Sequence, residues 1–197
     1  MTEDHKASKY FGKTNSELYD NWTNYHDEII NEMKWQNHKR AAVWLVKKVN
    51  TNDPVADLGA GNGQIGLEIE KFGTPHILDA YDMNKSMLDR FMATNYNLIV
   101  QHDINEKPLP KKYKYIVGTG VFTEDHVGPF ASKNLADSLT DDGMIFATMA
   151  HSFHKEYFDS WADNEDLEIK SVSEPYESLL VKNQQEYYKE VILTKRK

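Results

Sequence analysis

The sequence predicts an α/β fold: a doubly wound, seven-stranded, mostly parallel sheet with an antiparallel last strand and helices at the N-terminus. Three observations predict it. Short apolar runs alternate with helix-period stretches through most of the chain. The first of those runs, Val55-Ala56-Asp57-Leu58, enters a glycine-rich turn and becomes helix-compatible at Gln64. The last two runs, about Leu167 to Val172 and Tyr188 to Thr194, have no helical pattern between them and read as antiparallel neighbours.

Residues 1 to about 15 are polar and aperiodic. A helical stretch begins at Ser16-Glu17-Leu18-Tyr19 and carries Ile29, Ile30 and Met33. Tyr19, Trp22 and Tyr25 recur at helical spacing and share a face, which either packs in the core or covers the glycine turn. From Asn37 an amphipathic helix follows, with Ala41, Trp44, Leu45, Val46 and Val49 inward and His38, Lys39, Lys47 and Lys48 outward. Asn50 to Pro54 breaks it.

His76 to Tyr81 is the second strand, ending at Asp82-Met83-Asn84. Asn84 or Ser86 starts a helix carrying Met87, Leu88, Phe91 and Met92. Asn97 to Gln101 and Tyr113 to Val117 are the third and fourth strands, separated by a loop with Pro108 and Pro110. Gly128-Pro129 opens a helix through Leu135 and Leu139, and Asp141-Asp142-Gly143 turns into a fifth strand, Met144 to Met149. Phe153, Tyr157, Phe158 and Trp161 mark a further helix. With no internal repeat or linker, residues 1–197 read as one domain, a helical cap segment over 1–50 and a core over 51–197.

A chain of 197 residues suits one α/β domain and is short for the two domains of a typical dehydrogenase. Having no cysteine, it has no disulfide, thiolate metal site or cysteine nucleophile. No run approaches the ~20 apolar residues of a membrane span, and the first six residues lack the apolar core of a signal peptide, so a cytoplasmic protein is expected. With 23 basic against 31 acidic residues, a net charge of −8 argues against nucleic-acid binding. The eight histidines show no ligand spacing, and no metal is expected.

The turn after the first strand contains Gly59, Gly61 and Gly63, which tolerate positive φ and let a ligand approach the backbone. Asp57 sits at the end of that strand. Gly61 to Gly66 satisfies the dinucleotide fingerprint G-x-G-x-x-G, but Asp57 and Gly59 precede it, giving D-x-G-x-G-x-G. At the end of the second strand, some 20 residues on, Asp82 can take two ribose hydroxyls; Asp79 is its rival inside the strand. Asp103, after the third strand, can accept from an adenine amino group beside Ile104. Each Asp alone could equally be a turn or cap residue.

These motifs resemble those of class I S-adenosylmethionine (SAM) methyltransferases. Asp57 to Gly63 is similar to their first motif, and Asp82-Met83-Asn84-Lys85-Ser86-Met87-Leu88 to their D-x-S-x-x-M-L segment, with Asn for Ser. Tyr19 to His26 resembles an N-terminal Y-D-x-W-x-x-x-Y-D segment, with His26 for the second Asp. Asp141-Asp142-Gly143 departs from the frequent K-P-G-G turn. Gly120-Val121-Phe122-Thr123-Glu124-Asp125-His126-Val127-Gly128 is similar to a segment of the Williams–Beuren-syndrome-region methyltransferase-like group.

The resemblance implies a Rossmann-like methyltransferase fold and SAM as cofactor, with S-adenosylhomocysteine (SAH) as product. It implies cofactor contacts from Tyr25, Asp57, Gly59, Ala60, Gly61, Gly63, Asp82, Met83, Asp103, Ile104, Thr119 and Gly120. Tyr19 and Trp22 are then candidates for the acceptor. His126, with Glu124 and Asp125 beside it, is the candidate base or positioning group after the fourth strand; His151 and His154 are secondary. The expected partner is a small-molecule acceptor, with the protein a monomer or homodimer. An NAD-dependent oxidoreductase and a noncatalytic SAM-binding protein remain as alternatives.

Overall fold

A computed structural model of the chain describes residues 19–22, 24–123, 126–151, 155–181 and 184–197. Ser16, Glu17, Leu18, Glu124, Asp125, Phe153 and His154, all singled out above, lie outside the described residues. The sheet grows outward from β1 (Val55–Leu58), whose four residues are all buried, as a parallel strand covered on both faces must be. β1 pairs with β2 (Leu78–Asp82) on one side and with β4 (Tyr113–Thr119) on the other, both parallel. β3 (Tyr96–Gln101) lies outside β2, and β5 (Leu139–Ala150) lies parallel to β4. β8 (Gln184–Lys195) runs antiparallel to β5, and β6 (Leu167–Val172) antiparallel to β8.

The resulting order is β3-β2-β1-β4-β5-β8-β6. An eighth strand, β7 (Tyr176–Val181), pairs with the first half of β8, where the sequence reading has only a connecting segment after Pro175. The expected seven strands are therefore eight. β7 shows no strict apolar alternation (Tyr-Glu-Ser-Leu-Leu-Val), because it packs against the N-terminal segment rather than between layers.

Helices cover both faces. α2 (Asn37–Lys48) and α3 (Gln64–Phe72) bury Ala41, Leu45, Ile65 and Ile69 against Val55, Leu78 and Phe146. On the other face, Leu135 of α5 (Ser132–Asp137) and Trp161 of α6 (Lys155–Ala162) pack on Ile116, Ile145 and Leu193. α3 starts at Gly63 and stops at Gly73, both left-handed, so each end is set by a residue without a Cβ. α4 (Lys85–Leu88) is shorter than its apolar pattern suggests: Asn84 caps it by accepting the Met87 N–H at 2.9 Å, and it ends before Phe91 and Met92.

Asp141 to Gly143 lies within β5 as an irregularity, since pairing with β4 jumps from Leu139 to Met144. His38 does not face outward. It is fully buried against Trp35, 3.4 Å from Glu68, and burial lowers its pKa to about 4. No helix among the described residues is long and apolar enough to cross a membrane.

Among the described residues, 19–22 and 24–36 form a cap over the carboxyl ends of β1, β2 and β4. Residues 19–21 are helical, α1 (Tyr25–Asp27) follows, and the chain widens into a π-helical turn, Glu28–Glu32, closed by Met33 N–H to Glu28 carbonyl at 2.8 Å. Trp22, Ile29, Met33 and Trp35 form their own apolar cluster with Leu179 of β7. Backbone bonds tie the two together: Leu180 N–H to Met33 carbonyl at 2.8 Å and Gln36 N–H to Ser178 carbonyl at 3.0 Å. Asn37 Oδ1 adds acceptor bonds from the Tyr176 and Ser178 hydroxyls.

Candidate functional site

The strand ends and the cap enclose a cavity of about 760 Å³, within the range of small-ligand and cofactor sites. Its floor is the turn after β1. The Gly59 and Ala60 N–H groups donate to the Tyr81 carbonyl at 2.7 and 3.2 Å, which pins the turn to the end of β2. Gly59 adopts φ +69°, and a Cβ there would sit 1.9 Å from Val121 Cγ1, so any other residue is strained and must push the Val121 side chain aside.

Asp82 ends β2 and holds two backbone donors: Gly61 N–H reaches Oδ2 and Asn84 N–H reaches Oδ1, each at 2.8 Å. One lone pair on each oxygen is thus fixed internally, and the carboxylate keeps acceptor capacity toward the cavity it lines. Burial raises its pKa, against these two hydrogen bonds. Asp79 is settled differently: it is fully buried and binds Lys111, the Tyr113 hydroxyl and Asn97. It does not line the cavity.

Asp57 is buried and accepts a short bond from the Tyr96 hydroxyl. Desolvation pushes its pKa up to about 7, with the Tyr96 hydroxyl opposing. Asp103 lines the cavity and braces its own turn, Oδ1 accepting from Asn105 N–H at 2.8 Å, with buried Ile104 beside it. Ala60, Met83, Thr119 and Gly120 also face the space, as does Tyr25 from the cap. Gly120 is left-handed (φ +72°), and a Cβ there would touch Trp35 at 3.0 Å. Of the residues the sequence proposes, Gly63 does not line the cavity; its left-handed φ of +90° starts α3.

At the other end stand Tyr19, Trp22, Ile29, Leu179, Tyr188 and His126. The His126 ring is held at both nitrogens, Nδ1 by the Thr123 hydroxyl at 2.6 Å and Nε2 by the Tyr19 hydroxyl at 3.2 Å. Burial raises the phenol pKa of Tyr19 and pushes that of Tyr188 up to about 12, so both hydroxyls stay protonated near neutrality. His151, by contrast, does not line the cavity.

Several residues at the site have no role that the sequence alone assigns. Arg90 donates to the Trp22 and Tyr19 carbonyls at 2.6 and 2.7 Å, neutralising the end of the first cap helix. Asp20 accepts from Ser86 at 2.8 Å and Asn84 at 3.2 Å, so the cap is tied to the same loop as Asp82. Gln64 reaches His26 Nδ1 at 2.7 Å. Asp20 and His26 stand inside the Y-D-x-W segment, which is the signal that could have found them. Leu179 and Tyr188 carry no local signal, being brought in by the β7–β8 hairpin.

No family model and no curated protein matches the sequence. Solved structures do resemble the fold. A TehB-like SAM-dependent methyltransferase from Corynebacterium glutamicum is 17% identical, with TM-score 0.65 over 92% of this chain and 100% of its own. A candidate RNA methyltransferase from Pyrococcus horikoshii is 12% identical, with TM-score 0.59 over 81% and 83%. Coclaurine N-methyltransferase, bound to N-methylheliamine and SAH, is 9% identical, with TM-score 0.59 over 81% and 72%. At these identities the likeness is one of fold: a Rossmann-like, mostly parallel sheet with antiparallel C-terminal pairing.

Proposed function

We propose that this chain is a SAM-dependent methyltransferase acting on a small-molecule acceptor by in-line displacement, as one cytoplasmic domain with residues 1–50 as cap. The observation that carries this reading is the turn from Asp57 to Gly63, pinned to β2 and hydrogen-bonded to Asp82 at the floor of the cavity. The fold neighbours support it, as does the sequence resemblance. The residues present fit the cofactor: a glycine backbone where a Cβ at Gly61 would already touch Met87 at 3.3 Å, and three carboxylates on successive strand ends.

When bound, the cofactor supplies a methyl group activated on sulfonium. The backbone of Gly59 to Gly61 and the Asp57 carboxyl hold its amino-acid part. Asp82 would accept from the ribose hydroxyls through its remaining lone pairs and Asp103 from the adenine amino group, with Ile104 and Met83 as the apolar surface for the base. The protein's main task is then to align the acceptor at near-attack distance. His126 positions the acceptor or takes its proton, and the Tyr19 hydroxyl must yield Nε2 for it to do so.

An NAD-dependent reading fits less well. A dinucleotide sheet runs parallel in the order 3-2-1-4-5-6, whereas here antiparallel β8 lies between β5 and β6. Titration calorimetry with SAH and, separately, NADH tests the choice. SAH is expected to bind and NADH not; NADH binding without SAH overturns the proposal.

A further inference from the structure

The charge lining the cavity constrains the acceptor. Five acidic side chains face it: Asp57, Asp82 and Asp103, assigned above to the cofactor, and Asp20 and Asp89 beside them. Among the described residues Lys85 is the one Lys or Arg that does, and its ammonium sits 2.5 Å from Asp89. An acceptor bearing a carboxylate or phosphate would lose its water there with no described Lys or Arg beyond the already paired Lys85 to meet it, at a cost of several kcal/mol.

The cap end adds a second observation. Tyr25 meets the Trp22 ring edge-on at 5.0 Å and Tyr19 at 6.0 Å, while Tyr19 and Trp22 are stacked at 6.4 Å, so three rings form a corner on the cavity. Behind it lies Glu28, 3% exposed, whose Oε2 accepts the Trp22 indole N–H at 2.8 Å. No ion pair among the described residues includes Glu28. Trp22 itself is 2% exposed, so the partly exposed Tyr19 and Tyr25 rings are the faces that meet a ligand, and the Glu28 carboxylate behind Trp22 adds a negative charge favouring an organic cation on them.

We infer that the acceptor carries an organic ammonium on an apolar body, held at the Tyr19–Trp22–Tyr25 corner and favoured by the Glu28 carboxylate behind Trp22, the methyl going to another group of the acceptor or to that nitrogen once it has given up a proton. This rests on the methyl-transfer reading.

The test uses the full chain saturated with SAH and three probes of similar size: β-phenylethylamine, 2-phenylethanol and 3-phenylpropionate. Dissociation constants are read by ligand-observed NMR. The ammonium is expected to bind at least ~10-fold more tightly than the alcohol, and the carboxylate not measurably, the scale of a desolvated cation–π contact. Glu28→Gln, which keeps an acceptor for the indole N–H, should cut the ammonium-to-alcohol ratio severalfold while leaving SAH affinity unchanged. Should Glu28→Gln not fold, Leu179→Arg brings a cation to the same space and should raise carboxylate binding above ammonium binding. Equal binding of the three probes, binding by none, or tighter carboxylate binding overturns the inference. So does a Glu28→Gln effect confined to the SAM-to-SAH affinity ratio, since the corner would then serve the cofactor's sulfonium. Failure of SAH to bind the wild-type chain removes the methyl-transfer reading instead, and is seen before any probe is added.

Discussion

The two ends of the cavity are built by different means. At the carboxylate end, Asp57, Asp82 and Asp103 sit at successive strand ends, and the glycine turn is held to β2 by backbone hydrogen bonds. Sheet pairing fixes Asp57 and Asp82, and Asp103 is braced by its own turn just beyond β3. At the aromatic end, Tyr19, Trp22, Leu179, Tyr188 and His126 come from segments far apart in sequence, joined by side-chain packing and a few hydrogen bonds. One end is rigid and polar, the other adjustable and apolar. In the proposed reading, cofactor binding belongs to the first and acceptor choice to the second, since packed side chains can be re-cut without disturbing strand register.

Substitutions at the rigid end should have the largest effects. Asp57 is held at a pKa of about 7 by burial, so between pH ~4 and 7 the folded state keeps a proton that the unfolded chain has released. Its contribution to stability is full below about pH 4 and is lost as pH rises through 7. Asp57→Asn should therefore stabilise the ligand-free protein at pH 8 by up to roughly 4 kcal/mol, with the gain vanishing near pH 4. Denaturant melts at the two pH values check this, and a pH-independent change would refute it.

Gly59→Ala combines a left-handed φ with the clash on Val121. SAH affinity should fall at least about 100-fold, or roughly 3 kcal/mol, read by calorimetry on protein whose circular dichroism shows it folded.

Asp82→Ala leaves two backbone N–H groups without their acceptor and should weaken SAH about 30-fold, on the order of 2 kcal/mol. Asp79→Ala, three residues earlier, should lower the melting temperature by several degrees and leave SAH affinity within about twofold. If the two variants behave alike, the division between a binding and a structural carboxylate on β2 is wrong.

The smallest effect is expected at the adjustable end. Arg90→Met frees the Trp22 and Tyr19 carbonyls and should speed SAH dissociation about tenfold in stopped flow, by roughly 1.4 kcal/mol. An unchanged off-rate would mean that the cap does not control exchange.

The rigid end is the legible one. Val55 to Gly63 reads as strand and turn because the glycines at 59, 61 and 63 are required locally, all three by a left-handed φ and Gly59 also by its approach to Val121. Asp82 outranks Asp79 because strand ends face the crevice, and the structure places them so. β7 is not legible. Besides β8, its backbone partners Met33 and Gln36 lie some 140 residues away and carry no sequence signature of the pairing. His38 reads wrongly for a related reason: helical periodicity puts it on a polar face, but Trp35 and Glu68 close over that face from outside the helix. Local chemistry is written in spacing; burial imposed by a distant segment is not.

Asp20 and Arg90 give the cap a further property. Both tie it to the stretch that follows Asp82, through Ser86 and Asn84 on one side and the Tyr19 and Trp22 carbonyls on the other. A molecule lodged against Asp82 lies beneath a hatch hinged on its own doorstep. If the Arg90→Met off-rate rises, those four hydrogen bonds, and not affinity alone, set how fast that molecule leaves.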